Sequence, residues 1–269
     1  STLTVTADAF TNSGTLDAGT GSGNLSVTMS GSGAGFTTSG PVAIGTGRTL
    51  TVTGGPFSYA GGSISGAGTL ALSSLTGTLT AGLTVGTGML SLTSSRLSGP
   101  GTLVNGASGT LRLTASTVNA ALNNQGLLQA LGSTPADSIN GGLTTGTSST
   151  LEVLGGSVVA ASSTLVVTSG FTNNGILRLG GSGSNWDGFL TVTGGPLVNA
   201  VGAQLVVPAV TSSVGTLTGS LTNQGTVTTG EQLTISAGTG SVTNSGTMTI
   251  SSTLTVTADA FTNSGTLDA

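Results

Sequence analysis

Residues 242–248 read VTNSGTM and residues 261–267 read FTNSGTL, which are two copies of one short pattern. It consists of an apolar residue, an asparagine two positions later, a glycine two positions after that, and a second apolar residue two positions further on. Glycine and asparagine are the residues best suited to tight turns. The pattern therefore predicts a turn that joins two short apolar strands.

The pattern recurs at intervals that define a coil. Asn223, Asn244 and Asn263 are spaced 21 and 19 residues apart, and other copies lie about two coils apart. This spacing predicts coils of about 20 residues with insertions. We expect the asparagines to hydrogen-bond from coil to coil and the glycines to adopt positive φ angles in the turns. The predicted ladder and turn residues are Asn12, Gly14, Asn124, Gly126, Asn173, Gly175, Asn223, Gly225, Asn244, Gly246, Asn263 and Gly265.

A second pattern alternates strictly between apolar and polar residues. Residues 2–6 and 49–53 both read TLTVT, residues 110–114 read TLRLT, and residues 190–193 read LTVT. Period-two alternation with β-branched residues indicates strands whose leucines and valines face a core while the threonines face solvent. No stretch has the 3.6-residue period of a helix, so the sequence predicts an all-β protein without helix.

The longest repeat is an identity of eighteen residues. Residues 1–18 and residues 252–269 both read STLTVTADAFTNSGTLDA. The offset of 251 residues predicts one tandem unit of about twelve coils at 1–251 and the start of an identical unit at 252–269. We expect both ends to continue into further units, or to join other chains end to end, because uncapped coils expose unpaired strands.

Short strands with glycine and asparagine turns every ~20 residues favour a parallel β-helix, a β-solenoid in which stacked coils share one apolar core. Like charges stacked on every coil would repel, which accounts for a charged content of only 4%. Two alternatives remain at this point. A string of immunoglobulin-like sandwiches would show strands every 8–12 residues within domains of about 100 residues. A disordered chain would be less hydrophobic and more highly charged.

The segment 57-FSYAGGSISGAGTL-70 resembles the repeat of autotransporter passenger domains, and the Asn-x-Gly coils resemble filamentous-haemagglutinin-type repeats. The resemblance runs along the whole chain but is carried mainly by turn glycines and strand aliphatics. It implies a right-handed parallel β-helix on a bacterial surface, secreted or attached to the cell, with a structural or adhesive role. It transfers no binding residue to this sequence.

Composition excludes several kinds of function. Four arginines and no lysine cannot neutralise a run of phosphates, so we expect no nucleic-acid partner, and no apolar stretch is long enough for membrane insertion. Without histidine or cysteine, the usual zinc sites and thiol nucleophiles are absent, and we expect no cofactor. The expected partners are copies of the chain itself, in a polymer or bundle, and surfaces or glycans.

Possible active or ligand sites have plainer interpretations. Asp8 and Asp17 are half a coil apart, so we expect them on different sides rather than as the paired carboxylates of a glycosidase. The segment Gly180–Gly188 resembles a calcium-binding nonapeptide, but Asn185 replaces an expected aspartate, and Trp186 is expected to cover a glycine-rich bulge rather than stack on a sugar. The pairs Thr4/Thr6, Thr51/Thr53, Thr191/Thr193 and Thr255/Thr257 suggest an ice-binding face, although they skip coils.

The sequence therefore predicts a structural or adhesive extracellular fibre protein that is not an enzyme. Two alternative functions are that of an ice-binding solenoid, which would use the Thr-x-Thr rows, and that of a carbohydrate-active β-helix enzyme.

Overall fold

A computed structural model describes residues 1–19, 23–31, 33–132, 134–183 and 185–269. The chain winds through twelve turns of a three-sided β-solenoid, and no helix occurs in the described residues. Every strand pairing among the described residues is parallel. The fold is consistent with a right-handed parallel β-helix, the hand that parallel crossovers take. The predicted fold class is confirmed, and both the sandwich and the disordered alternative are wrong.

The strands are numbered in chain order and fall on three sides of the coil. Side 1 is one sheet of thirteen strands: β1 (Thr2–Ala7), β4 (Asn24–Met29), β7 (Thr49–Thr53), β10 (Thr69–Ser73), β13 (Met89–Thr93), β16 (Thr110–Thr114), β19 (Leu127–Ala130), β22 (Thr150–Gly155), β25 (Ile176–Gly181), β28 (Gln204–Val207), β31 (Thr226–Thr229), β33 (Thr247–Ile250) and β35 (Thr266–Asp268).

Side 2 holds the next strand of each coil: β2 (Ala9–Asn12), β5 (Gly35–Thr38), β8 (Pro56–Tyr59), β11 (Thr76–Leu79), β14 (Arg96–Ser98), β17 (Thr117–Val118), β20 (Asp137–Ile139), β23 (Ser163–Val167), β26 (Gly188–Val192), β29 (Val214–Thr218) and the first parts of β32 (Gln232–Asn244) and β34 (Leu254–Asn263). The two last strands are long because each continues around the corner onto side 3.

Side 3 completes the coil: β3 (Leu16–Ala18), β6 (Val42–Ile44), β9 (Ile64–Ser65), β12 (Leu83–Val85), β15 (Leu103–Asn105), β18 (Leu122–Asn124), β21 (Leu143–Thr145), β24 (Phe171–Asn173), β27 (Leu197–Asn199), β30 (Leu221–Asn223) and the second parts of β32 and β34. Its hydrogen bonding is interrupted between β9 and β12 and between β21 and β24, so this side consists of three groups of strands.

Coil length varies more than the repeat pattern suggests. Thr110 pairs with Leu127, which makes a coil of 17 residues, whereas Ile176 pairs with Gln204, which makes one of 28. Thr2 and Thr266 occupy the same position on side 1 twelve coils apart, so the average coil has 22 residues. Extra residues are accommodated in the corners, since the strand register on side 1 stays in phase.

The core consists of columns of like residues stacked at the spacing between strands. One column on side 1 runs through ten coils, and its members are at most 3% exposed: Leu50, Leu70, Leu90, Leu111, Leu128, Leu151, Leu177, Leu205, Val227 and Met248. On side 2, Phe10, Phe36 and Phe57 stack with ring centroids 5.1 and 5.6 Å apart. A single apolar cluster thus runs the length of the stack.

The two identical eighteen-residue segments occupy different sides. In the first copy the strands lie on sides 1, 2 and 3 in that order. In the second copy the same residues lie on side 2 in the first part of β34, on side 3 in its second part, and on side 1 in β35. The side that a strand occupies is therefore not fixed by its own sequence.

Candidate functional site

A ladder of asparagine amides runs along the corner where side 3 meets side 1. Each asparagine ends a side-3 strand, and its Nδ2 donates to Oδ1 of the asparagine in the next coil. The continuous part comprises Asn173, Asn199, Asn223, Asn244 and Asn263, joined by hydrogen bonds of 2.9, 2.8, 2.7 and 2.7 Å.

The second hydrogen of each amide is also used. Nδ2 of Asn223 donates to the carbonyl oxygen of Thr247 at 3.1 Å, and Nδ2 of Asn244 donates to that of Thr266 at 3.0 Å. Both asparagines are completely buried. Because an unpaired buried amide costs about 1–3 kcal/mol, a fully paired ladder fixes each coil to the next.

A shorter ladder lies nearer the N-terminus and ends at a threonine. Nδ2 of Asn105 donates to Oδ1 of Asn124 at 2.7 Å. The next coil carries Thr145 at this position, and its hydroxyl donates to the carbonyl oxygen of Thr172 at 2.9 Å. The same hydroxyl accepts from the backbone N–H of Asn174 at 2.8 Å. A hydroxyl therefore takes the place of the amide where the ladder is interrupted.

Five of the six predicted asparagines lie on these ladders: Asn124, Asn173, Asn223, Asn244 and Asn263. Asn12 does not, because its coil is one side out of phase. It ends β2 on side 2, and its Nδ2 donates to the hydroxyl of Thr38 at 3.1 Å. Sequence reasoning missed Asn105 and Asn199, which follow Leu-Val in both cases without the x-Gly continuation.

The structure shows that glycine is required at the predicted positions for a different reason than the one expected. None of Gly14, Gly126, Gly175, Gly225, Gly246 and Gly265 has a positive φ. Five of them instead lie so close to the preceding coil that a Cβ would collide with its backbone carbonyl groups. Gly225, for example, faces the carbonyl oxygens of Ala200 and Ala203, whereas Gly14 has nothing within 4 Å of a Cβ position. Close approach of the coils, and not turn conformation, requires glycine here.

A second polar column lies at the corner between sides 1 and 2. The hydroxyl of Ser116 accepts from the backbone N–H of Ser95 at 3.1 Å, and Oδ1 of Asp137 accepts from the N–H of Ser116 at 2.9 Å. Asp137 is completely buried, and its Oδ2 has no hydrogen-bond partner. Burial raises the pKa of Asp137 to about 7, although the backbone N–H groups of Ser116 and Leu131 act in the opposite direction.

Asp137 should make the fold less stable as the pH rises. The folded chain holds its proton up to about pH 7, whereas the unfolded carboxyl releases it near pH 3.8, so stability falls across that window. The variant Asp137→Ser repeats the serines of this column and should remove that dependence, with a gain of up to about 4 kcal/mol at pH 8. Urea midpoints at pH 4.5 and 8 measure it. An unchanged pH dependence in the variant would show that the carboxyl is not responsible.

Three charged residues and one glutamine, from four successive coils, form a row on the outside of side 1. Nε of Arg112 donates to Oε1 of Gln129 at 2.8 Å, and Nε2 of Gln129 donates to Oε2 of Glu152 at 2.8 Å. NH1 of Arg178 then lies 3.2 Å from Oε1 of Glu152. Opposite signs with an intervening amide allow charges to stack here without repulsion, an arrangement that sequence reasoning did not foresee.

The glycine-rich segment Gly180–Gly188 includes Ser184, which lies outside the described residues. The ring of Trp186 lies against Gly156, where any Cβ would collide with it. The carboxylate of Asp187 accepts from the backbone N–H of Val214 at 2.8 Å. Both side chains thus serve contacts between coils.

The threonine pairs fall on two sides. Thr4/Thr6 and Thr51/Thr53 face outwards on side 1, while Thr191/Thr193 and Thr255/Thr257 belong to side 2. The strand register also places hydroxyl pairs on successive coils that the sequence spacing does not show. On side 2, Thr216/Thr218, Thr234/Ser236 and Thr255/Thr257 lie on three successive coils.

The acidic residues are dispersed. Asp8 lies at the corner between sides 1 and 2 and accepts from the hydroxyl of Ser30 at 2.7 Å, whereas Asp17 lies on side 3. No group of three or more potential metal-ligating side chains occurs within the described ranges. In the same part of the chain, no helix has the length and apolarity needed to cross a membrane.

Comparison with protein-family models, with curated proteins and with solved structures gives no match to this chain.

Proposed function

We propose that this chain is a stacking module of a bacterial extracellular fibre, with a structural or adhesive role and no enzymatic activity. The observation that carries the proposal is the apolar column that continues from coil to coil through the stack. The column of Phe171, Leu197, Leu221 and Val242 on side 3 is at most 5% exposed, yet its next member, Phe261, is 43% exposed.

The other inward-facing residues of the last coil are uncovered in the same way. Leu267 continues the buried side-1 column and is 49% exposed, and Leu3 at the opposite end is 65% exposed. Together with Leu254, Val256 and Ala258, the residues Phe261 and Leu267 line a shallow concavity of about 320 Å³. A coil of the same sequence would bury this surface and pair its strands, at about 25 cal/mol per Å² of apolar area.

The partner that fits these ends is a further copy of the repeat. Residues 1–18 and 252–269 are identical, so a surface complementary to one copy is complementary to the other. The resemblance to autotransporter passenger and filamentous-haemagglutinin-type repeats supports a bacterial surface location. The low charge of the sides supports lateral association with other fibres or surfaces, because few like charges oppose it.

Mass per length tests the fibre. With 22 residues per coil and ~4.8 Å between coils, a protein of three tandem copies should be a straight rod with about 4.6 residues per Å. Scanning transmission electron microscopy of single molecules measures this quantity. Separate beads, or a markedly lower mass per length, would contradict coaxial stacking.

Ice binding is a second candidate, favoured by one specific observation. On side 1, Thr2/Thr4/Thr6, Asn24/Ser26/Thr28 and Thr49/Thr51/Thr53 lie in register on three successive coils. They form an outward polar grid with spacings of roughly 6.7 Å along the strand and 4.8 Å between strands. Thermal hysteresis that is lost on replacement of Thr51 by a leucine would support this candidate, and its absence in the unaltered protein would dismiss it.

A further inference from the structure

The three sides of the coil accept the same strand sequences. The clearest case is the pair of identical eighteen-residue segments, which lie on sides 1, 2 and 3 in the first copy and on sides 2, 3 and 1 in the second. In the second copy, β34 is in register with Leu233–Ser236 of side 2 and with Ser241–Asn244 of side 3. The segment as a whole has therefore moved round the coil by one side.

A second repeated segment behaves in the same way. The hexapeptide TVTGGP occurs at residues 51–56 and at residues 191–196. In the first case it turns the chain from side 1 to side 2, between β7 and β8. In the second case it turns the chain from side 2 to side 3, between β26 and β27. In both, the paired glycines have positive φ, so the same turn sequence serves two different corners.

The number of strands in the repeat explains the shift. Thirty-three strands, β1 to β33, precede the second copy, and β32 spans two sides, so the repeat fills 34 positions on a three-sided coil. Thirty-four positions are eleven full turns and one further side. We infer that successive 251-residue repeats stack with a rotation of one side, a third of a turn, so that the pattern closes only after three repeats.

This inference rests on the proposed tandem stacking and adds its geometry. Each repeat advances the fibre by roughly 54 Å at the ~4.8 Å spacing, and three repeats advance it by roughly 163 Å. A feature that occurs once per repeat then faces each of the three directions in turn. The row of Arg112, Gln129, Glu152 and Arg178 on side 1 is such a feature. The asparagine ladder likewise moves to a new corner with every repeat.

The interaction surface that follows is cylindrical rather than flat. A fibre built this way presents the same three surfaces in every direction, which suits contacts with several neighbouring copies of itself around its circumference. A flat partner longer than one repeat would meet a different side at each repeat. Such a partner could not use the threonine grid of side 1 beyond a single repeat.

The test is electron microscopy of a protein with three tandem copies, labelled once per copy. The chain has no cysteine, so Thr51→Cys in each copy provides unique sites for biotin and monovalent streptavidin. Thr51 and Thr228 occupy the same outward column of side 1, eight coils apart. A single copy labelled at both positions is the control, because it measures any gradual twist of the stack.

After subtraction of that twist, successive labels should differ by about a third of a turn. Labels along one edge of a continuous rod would overturn the inference and leave the proposed stacking intact. Labels on separate, flexibly joined particles would overturn the proposed stacking itself. The doubly labelled single copy also shows whether the cysteine substitutions preserve the fold.

Discussion

Replacing Asn223 by aspartate is expected to destabilise the solenoid by about 3–5 kcal/mol at neutral pH. Asn223 is completely buried, and its Nδ2 donates to Oδ1 of Asn244 at 2.7 Å and to the carbonyl oxygen of Thr247 at 3.1 Å. An aspartate carboxylate has no hydrogen to donate to these two oxygens, and it would place a buried negative charge next to them. Acidification to pH 4 should restore part of the loss, because a protonated carboxyl carries no charge.

The matched control is Asn263→Asp. Asn263 belongs to the same ladder and the same sequence pattern, but it is exposed and serves mainly as an acceptor from Asn244. Its replacement should change the free energy of unfolding by no more than about 0.5 kcal/mol. Urea denaturation followed by circular dichroism compares the two variants. Equal losses at Asn223 and Asn263 would show that the buried ladder does not hold the coils together.

The substitution Gly126→Ala should cost about 3 kcal/mol of stability. A Cβ on Gly126 would meet the carbonyl oxygens of Gly106 and Gly109 in the preceding coil, well inside van der Waals contact. Neither carbonyl belongs to a flexible side chain, so the coils themselves would have to separate. Thermal unfolding should show a clear fall in Tm.

Gly14→Ala provides the comparison for Gly126. Gly14 has the same place in the Asn-x-Gly pattern, a φ that is not positive, and nothing within 4 Å of a Cβ. Alanine there should leave stability unchanged or raise it by up to about 1 kcal/mol, because it restricts the unfolded chain. A loss at Gly14 as large as that at Gly126 would point to turn conformation, and not to contact between coils, as the role of these glycines.

Much of the fold follows from the sequence because stacking repeats each local pattern. The alternation in residues 49–53 and 110–114 predicts which residues face the core, and Leu50, Val52, Leu111 and Leu113 are all at most 1% exposed. The asparagine pattern predicts most of the ladder as well. Both depend only on neighbouring residues in one coil, and the next coil repeats them.

Features that depend on the register between coils could not be predicted in this way. Asn199 joins the ladder although its turn is longer, because the strand before it aligns with those above and below. Asn12 leaves the ladder although its pattern is complete, because its coil is one side out of phase. The contacts of buried Asp137 and of the row from Arg112 to Arg178 likewise join residues that are 17 to 26 positions apart. Variable coil lengths conceal such neighbours in the sequence.

On side 1, one column of strands continues from coil to coil without interruption, and distances between labels along that column test this continuity. Nitroxide labels at Thr51→Cys and Thr228→Cys, eight coils apart on side 1, should give a single narrow distance near 38 Å by double electron–electron resonance. Labels at Thr51→Cys and Arg112→Cys, three coils apart, should lie about 14 Å apart. Distances that do not grow in proportion to the number of coils, or a broad distribution for the longer pair, would contradict the stacked solenoid.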